Sequence, residues 1–278
     1  MYIFKHIADL QAHLANKRQL GNTIGFVPTM GALHAGHLSL IAAAQLATDC
    51  VVCSIFVNPT QFNEASDFDK YPRTLAADAK CLEDAGVEYL FAPSEDVMYP
   101  TPQYFHVDVP DQLATILEGE FRPGHFRGVA TVVMKLFQIV QPDAALFGKK
   151  DYQQMLVLSG LVREFNLPIE VIAGDTIRAE DGLALSSRNG FLSASERQEA
   201  PRLHRLLMDL VARIQAGERD FAKLEAVVMD QLRKNGWSPD YVAVRRRADL
   251  QVPLVDDPLV VVAAAKLGTT RLIDNVEI

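Results

Sequence analysis

The sequence predicts an α/β protein, a parallel sheet covered by helices followed by a smaller α+β unit. Three observations predict it. Over the first ~175 residues, short apolar runs alternate with helical patterns, as in a parallel sheet covered by helices. Several of those runs open into loops rich in glycine and polar residues, and each such loop leads into a helix start, the arrangement at the ligand edge of an open α/β sheet. After about residue 190, two long helical stretches precede a group of strand-like runs, which suggests a separate α+β unit.

Residues 23–27 predict the first strand, followed by a Pro/Gly loop and a helix to about residue 48. A uniformly apolar second strand is expected at 50–57, a helix at 75–85 closed by Gly86, and a third strand at 88–92. Residues 104–109 alternate and predict an edge or excursion strand. A buried helix at 128–140, a short strand at 144–147, a helix at 152–165 and a strand at 168–173 complete the set. Residues 193–216 and 220–235 read as helices, the first opened by a capping box of Ser193 and Glu196. Strands are expected at 241–245, 259–265 and 271–278. The Gly- and charge-rich stretch 174–192 holds the expected boundary, dividing 1–175 from 176–278.

With 278 residues, the chain has room for two domains. Hydrophobic residues make up 49% and charged residues 22%, enough for a real core. The formal net charge of -8 argues against a protein that grips a nucleic-acid backbone. The one dense basic run, Arg245, Arg246 and Arg247, reads as a solvated face or as intersubunit pairs. Residues 1–10 show no secretory pattern, and no stretch approaches the ~20 apolar residues of a membrane helix. Three cysteines without an export signal fit a reducing cytoplasm. Cys50 and Cys53 are three apart on an expected strand, so they point to opposite faces and cannot share a metal or a disulfide.

Five segments carry candidate chemistry. The first runs from Phe26 through Pro28, Met30, Gly31, Ala32, Leu33, His34, Ala35 and Gly36 to His37, a strand, a glycine loop and a helix start. A helix N-terminus offers unpaired N–H groups to phosphate. His34 and His37, three apart, share a face, and Gly36 removes a Cβ that would obstruct a nucleotide. Taken alone, the pair also reads as a helix cap with two satisfied histidines. A zinc site is disfavoured because the glutamate of an HExxH motif is absent. Second, Asn58 and Gln61 follow the second strand, with amides suited to a small hydroxy acid. Arg73 follows as an anchor or a surface charge, and Asp78 as a solvent-facing helical residue or a neighbour of magnesium. Third, Arg122 and His125 precede a helix as an anion clamp or an interdomain contact. Fourth, Gly148, Lys149, Lys150, Asp151 and Gln154 lie where a strand gives way to a helix. Fifth, Ser186, Ser187 and Arg188 at the boundary form an oxyanion grip suited to a closing flap, or a plain turn.

The phrase Pro28-Thr-Met-Gly-Ala-Leu-His34-Ala-Gly-His37 resembles the HxGH signature of the nucleotidylyltransferase superfamily. Together with FVNPxQF, YPRT, RPGHFxGV, FGxKDYQQ, GLAxSSRN and the run Leu267 to Asn275, it is similar to the pantothenate synthetase family over almost the whole chain. That resemblance implies a Rossmann-like N-terminal domain, a smaller C-terminal lid, a cytoplasmic homodimer, and ATP-dependent joining of pantoate to β-alanine through an acyl-adenylate, with Mg²⁺ riding on ATP. It implies that Met30 to His37 line the ATP site, with His34 and His37 on the phosphates and His37 a proton donor. Gly148, Lys149, Lys150 and Asp151 contact ATP, Lys150 on the phosphates and Gly148 and Asp151 toward the ribose, and Ile177 falls where adenine meets the backbone. Ser186, Ser187 and Arg188 close over the phosphates, with Leu185 beside them. Gln61 and Gln154 hold pantoate, and Gln61 borders β-alanine. Lys149 stands where glutamate is frequent and Leu185 where methionine is.

The resemblance agrees with the chemistry. An ionised carboxylate attacks phosphorus without a general base and needs only positioning and charge neutralisation. Three rival readings remain: a nucleotidyltransferase acting on a phosphate acceptor, an aminoacyl-tRNA synthetase fragment, and a non-catalytic nucleotide sensor. AMP release separates the first from a ligase. The acidic chain without a tRNA-binding extension disfavours the second. Pyrophosphate release excludes the third.

Overall fold

The computed structural model describes residues 1–62 and 65–278. Six parallel strands form the first sheet: β1 Tyr2–Phe4, β2 Ile24–Thr29, β3 Cys50–Ile55, β4 Tyr89–Phe91, β5 Ala144–Gly148 and β6 Glu170–Gly174, in the order β1-β4-β3-β2-β5-β6. From β2 the chain steps outward through β3 and β4, then returns to lay β5 on the other side of β2. The order therefore reverses between β2 and β5, and the crevice beyond their carboxyl ends is where such sheets bind ligands.

Both faces of this sheet are covered at its centre, so β2, β3 and β5 are buried and apolar nearly throughout rather than alternating. Phe26, Cys50 and Val52 face the helices Ile7–Gln19, His125–Val140 and Tyr152–Glu164. Val27, Val51 and Cys53 face Leu40, Ile41 and Ala44 of Ala35–Ala47 and Leu82 of Leu75–Asp84. The two cysteines thus belong to opposite cores, as their spacing predicts.

Three antiparallel strands, β7 Trp237–Arg246, β8 Leu259–Leu267 and β9 Thr270–Glu277, make the second sheet in the order β7-β8-β9. On one face, Val244, Val261, Ala263 and Ala265 pack under the helices Arg202–Gln215 and Phe221–Lys234. On the other, Ala243, Val260 and Val262 join the core of the first sheet.

Several expectations need correction. Residues 104–109 form no strand: Val107 and Val109 pack on the core, and the Val107 amide is taken by the Thr131 hydroxyl at 3.0 Å instead of by a ladder. The helix expected over 193–216 is two, Ala194–Glu199 and Arg202–Gln215, parted at Pro201, which brings no N–H. The capping box of Ser193 and Glu196 is present. The sequence reading missed β1 and the helix Ile7–Gln19. The arginine run is not a bare solvated face, because each arginine has an acidic partner within the chain. Arg245 meets Glu225 at 3.6 Å, Arg246 meets Asp249, and Arg247 meets Glu277 at 2.9 Å.

Candidate active site

The loop after β2 turns at Gly31, whose φ of 84° lies in the left-handed region that favours glycine. The Thr29 hydroxyl donates to the Ser54 carbonyl at 2.8 Å and accepts the Gly31 amide at 3.1 Å. Asp78 completes the turn. Its carboxylate accepts the amides of Ala32 and Leu33 at 2.9 Å each and the Thr74 hydroxyl at 2.9 Å. Asp78 is therefore 4% exposed rather than solvent-facing, and both its oxygens are committed to shaping the loop rather than to a cation.

His34 caps the helix Ala35–Ala47, its Nδ1 accepting the Gly36 amide at 3.1 Å. The His34 amide in turn donates to Nδ1 of His37 at 3.3 Å, and the two rings sit 4.2 Å apart. A nitrogen that accepts a backbone N–H carries no proton, so each neutral ring keeps its proton on Nε2. Among the described residues, neither Nε2–H has an acceptor. Burial, reinforced by the ammonium of Lys150, pushes His34 down to about 4. Burial and the neighbouring His34 ring push His37 down to about 3. Both imidazoles are neutral and present hydrogen-bond donors at the positive end of a helix.

After β3, Asn58 is 1% exposed and fully engaged. It donates to Oε1 of Gln61 at 3.1 Å and to the Gly128 carbonyl at 3.4 Å, and accepts the Tyr99 hydroxyl at 2.7 Å. It braces the loop rather than offering itself to a ligand. Gly128 permits this close approach, since a Cβ there would stand 2.2 Å from the Thr60 carbonyl. The Gln61 amide reaches the Met30 sulfur at 3.1 Å, which ties this loop to the one after β2. His125 donates from Nδ1 to the Gln61 carbonyl at 2.8 Å and receives Arg122 on Nε2 at 3.1 Å. Burial and then the Arg122 charge push it down to about 4.

The turn Lys149–Asp151 after β5 divides its two lysines. Lys150 points to the cleft, with Asp151 3.8 Å away. Lys149, expected among the ATP contacts, turns instead to Asp175 at 2.8 Å and Glu277 at 3.2 Å, because those carboxylates lie on its side of the turn. Its carbonyl, with that of Lys150, accepts the amide of Asn275 at 2.8 and 2.9 Å. Gln154 lines a small side pocket with Arg122, His125 and Lys150, and among the described residues its amide has no partner.

The flap returns to the first loop. Ser186 accepts the Arg188 amide at 3.2 Å, and Ser187 donates to the Ala32 carbonyl at 3.0 Å. The Ile177 carbonyl accepts the Leu185 amide at 2.9 Å, pinning the base of the flap. Between the units lies a cleft of about 540 Å³ lined by Arg122, Lys150, Asp151, Ser186 and Arg188 among others. The loop from Met30 to His37 and Gln61 are not part of that lining, but Ser187 joins the one to it and Arg122 the other.

Sequence reasoning did not single out Glu118, Tyr241, Tyr99 or Gln153. The Gln153 amide holds the carbonyls of Leu113 and Ile116 at 2.6 and 2.9 Å and accepts the Glu118 amide. Little local marks such residues, since their side-chain hydrogen-bond partners are 35 to 153 positions away.

The family model for pantoate-β-alanine ligase matches residues 2–277. Over 285 aligned residues the chain is 55% identical to the pantothenate synthetase of Leptothrix cholodnii, with all of both chains covered. The crystal structure of pantothenate synthetase from Thermus thermophilus is similar at a TM-score of 0.92 and 42% identity, covering 100% of this chain and 99% of that one. The pantoate-β-alanine ligase of Francisella tularensis, complexed with βγ ATP and β-alanine, gives a TM-score of 0.86 at 36% identity over 100% and 97% of the chains. A match in sequence and fold from end to end makes this chain a member of the pantoate-β-alanine ligase family.

Proposed function

We propose that the cleft and the two loops beside it bind ATP and pantoate and carry the ATP-dependent ligation of pantoate with β-alanine. The chain is a pantoate-β-alanine ligase, and its reaction runs through pantoyl-adenylate with release of pyrophosphate and AMP. The observation that carries the assignment of residues is the pair of unspent Nε2–H groups of His34 and His37 beside Lys150 and a helix N-terminus.

In this reading Met30 to His37 receive ATP, and the histidines donate to its phosphate oxygens. Lys150 and Arg188 neutralise the charge that develops as pyrophosphate leaves. Pantoate's carboxylate is ionised already, so attack on the α-phosphorus calls for alignment and no base. Gln61 and Gln154 orient pantoate with Arg122 and His125 behind them, and Gly148 and Asp151 face the ribose. The Ser186–Arg188 flap excludes water while the mixed anhydride waits for the amine of β-alanine. His37 enters as a neutral hydrogen-bond donor rather than an imidazolium acid before the nucleotide binds. Magnesium fits as a companion of ATP, offsetting triphosphate charge. Among the described residues no cluster of three metal-ligating side chains exists, and such an ion keeps waters and phosphates as its ligands.

The second unit, 176–278, acts as the lid over 1–175, and the protein works as a homodimer in the cytoplasm. Among the described residues no helix is long and apolar enough to cross a membrane. The test is pyrophosphate release from ATP·Mg²⁺ with pantoate, with and without β-alanine. Sustained release that needs both, with AMP and pantothenate formed, supports the assignment. Activity that survives in His34→Ala, His37→Ala and Lys150→Ala alike would place the phosphates elsewhere.

A further inference from the structure

A largely buried series of charged groups, with Glu118 at its centre, crosses from the second sheet to the loop that carries Gln61. Glu118, 8% exposed, opens the short helix Glu118–Phe121. Arg271 of β9 takes both its carboxylate oxygens, at 2.8 and 2.7 Å, and Tyr241 of β7 donates to one of them at 2.9 Å. The same arginine holds Asp240 through Nε at 2.7 Å. Arg122 lies 3.8 Å from the Glu118 carboxylate, and its guanidinium reaches the Gln61 carbonyl at 3.4 Å and Nε2 of His125 at 3.1 Å. Glu118, Arg122, Asp240 and Arg271 all line the interunit cleft.

A two-pronged guanidinium–carboxylate contact fixes orientation as well as distance. Glu118 is thus aimed by strands of the second unit, while its charge bears on an arginine that belongs to the first. We propose that Glu118 is a positioning residue for the ligation. Held by Arg271 and Tyr241, it sets the placement of Arg122, and through Arg122 the loop that presents the Gln61 amide to pantoate. The order of dependence runs from β9 to Glu118, then Arg122, then Gln61. It rests on the reading of Arg122 and Gln61 as the pantoate side of the site. A carboxylate that only glued the two units together would act in the same way whatever stood at position 122.

The experiment compares E118Q, R122A and the double variant in the full-length protein, reading KM for pantoate, KM for ATP and Tm. We expect R122A and E118Q each to raise KM for pantoate about tenfold, the loss of roughly one charge-assisted hydrogen bond. KM for ATP stays within about twofold, because the histidine loop is held separately by Asp78. In the R122A background, E118Q adds less than about twofold, since the residue it acts through is gone. Effects that multiply in the double variant overturn the proposal, as does an E118Q protein with lowered Tm and unchanged KM. If R122A leaves KM for pantoate unaltered, the pantoate site itself is misplaced and the proposal falls with it, an outcome recognisable from that single variant. Should E118Q fail to fold, R271K keeps the charge, loses the second prong and enters the same comparison.

Discussion

At the carboxyl edge of the parallel sheet, among the described residues, the side chains of His34 and His37 commit only Nδ1 and that of Gln154 commits nothing, so donors stand ready for a ligand. Across the cleft, the antiparallel sheet leaves few charges unmatched. Asp274 is clasped by Arg178 at 2.8 and 2.9 Å, with His204 3.4 Å away, and Arg271 serves Glu118 and Asp240 at once. One region withholds its polar groups from the fold, and the other uses them to build it. Substitutions at the first edge should therefore alter turnover more than stability, and those at Asp274 and its partner Arg178 the reverse.

The sharpest way to break this contrast is Arg178→Met, which strands the Asp274 carboxylate at 4% exposure. Removing one partner of a buried pair costs about 3–5 kcal/mol, to be read by denaturant unfolding, while the folded fraction keeps its kcat within a few-fold. A chemical defect without a stability loss would reverse the assignment of that region. Next in size is His37→Ala, with kcat expected to fall about 10²–10³-fold for a lost transition-state donor. The same variant tests the pH behaviour. The fold holds His37 near 3 and His34 near 4, while the unfolded chain protonates them near 6.5. The unfolded state thus binds more protons between those values, so Tm should fall as pH drops from 6.5 toward 4, and fall less steeply in His37→Ala. An unchanged slope would deny the buried neutral ring. Gln154→Ala should raise KM for pantoate about tenfold with Tm nearly constant, which isothermal titration can check directly. The smallest effect belongs to Lys149→Met. Its pairs with Asp175 and Glu277 contribute up to about 1 kcal/mol, and kcat/KM for ATP should stay within about twofold. A large kinetic loss there would return Lys149 to the nucleotide.

The sequence conveyed the parallel sheet because strands buried on both faces read as unbroken apolar runs, Cys50–Ile55 above all. It hid β1, a three-residue edge strand with Tyr2 and Ile3 exposed, and the helix Ile7–Gln19, where only Leu10 and Leu14 are buried. It misled at 104–109, where Val107 and Val109 alternate because they rest on the core, not because a neighbour pairs with them. At the site, His34, His37, Lys150 and Gln154 were legible because local motifs place them at a strand's end before a helix. Asp78 was not, since its service to Ala32 and Leu33 spans some 45 positions. Two adjacent lysines also look alike in a string of letters, and only the turn after β5 separates Lys150 from Lys149.

The second sheet has apolar side chains on both its faces, with Ala243, Val260 and Val262 sealed against the neighbouring core. Cut away from residues 1–175, it would show that oily underside to water, so a recombinant C-terminal half should precipitate or recruit chaperones. Heating the whole chain should accordingly give one calorimetric peak, the two halves melting together as a single cooperative unit.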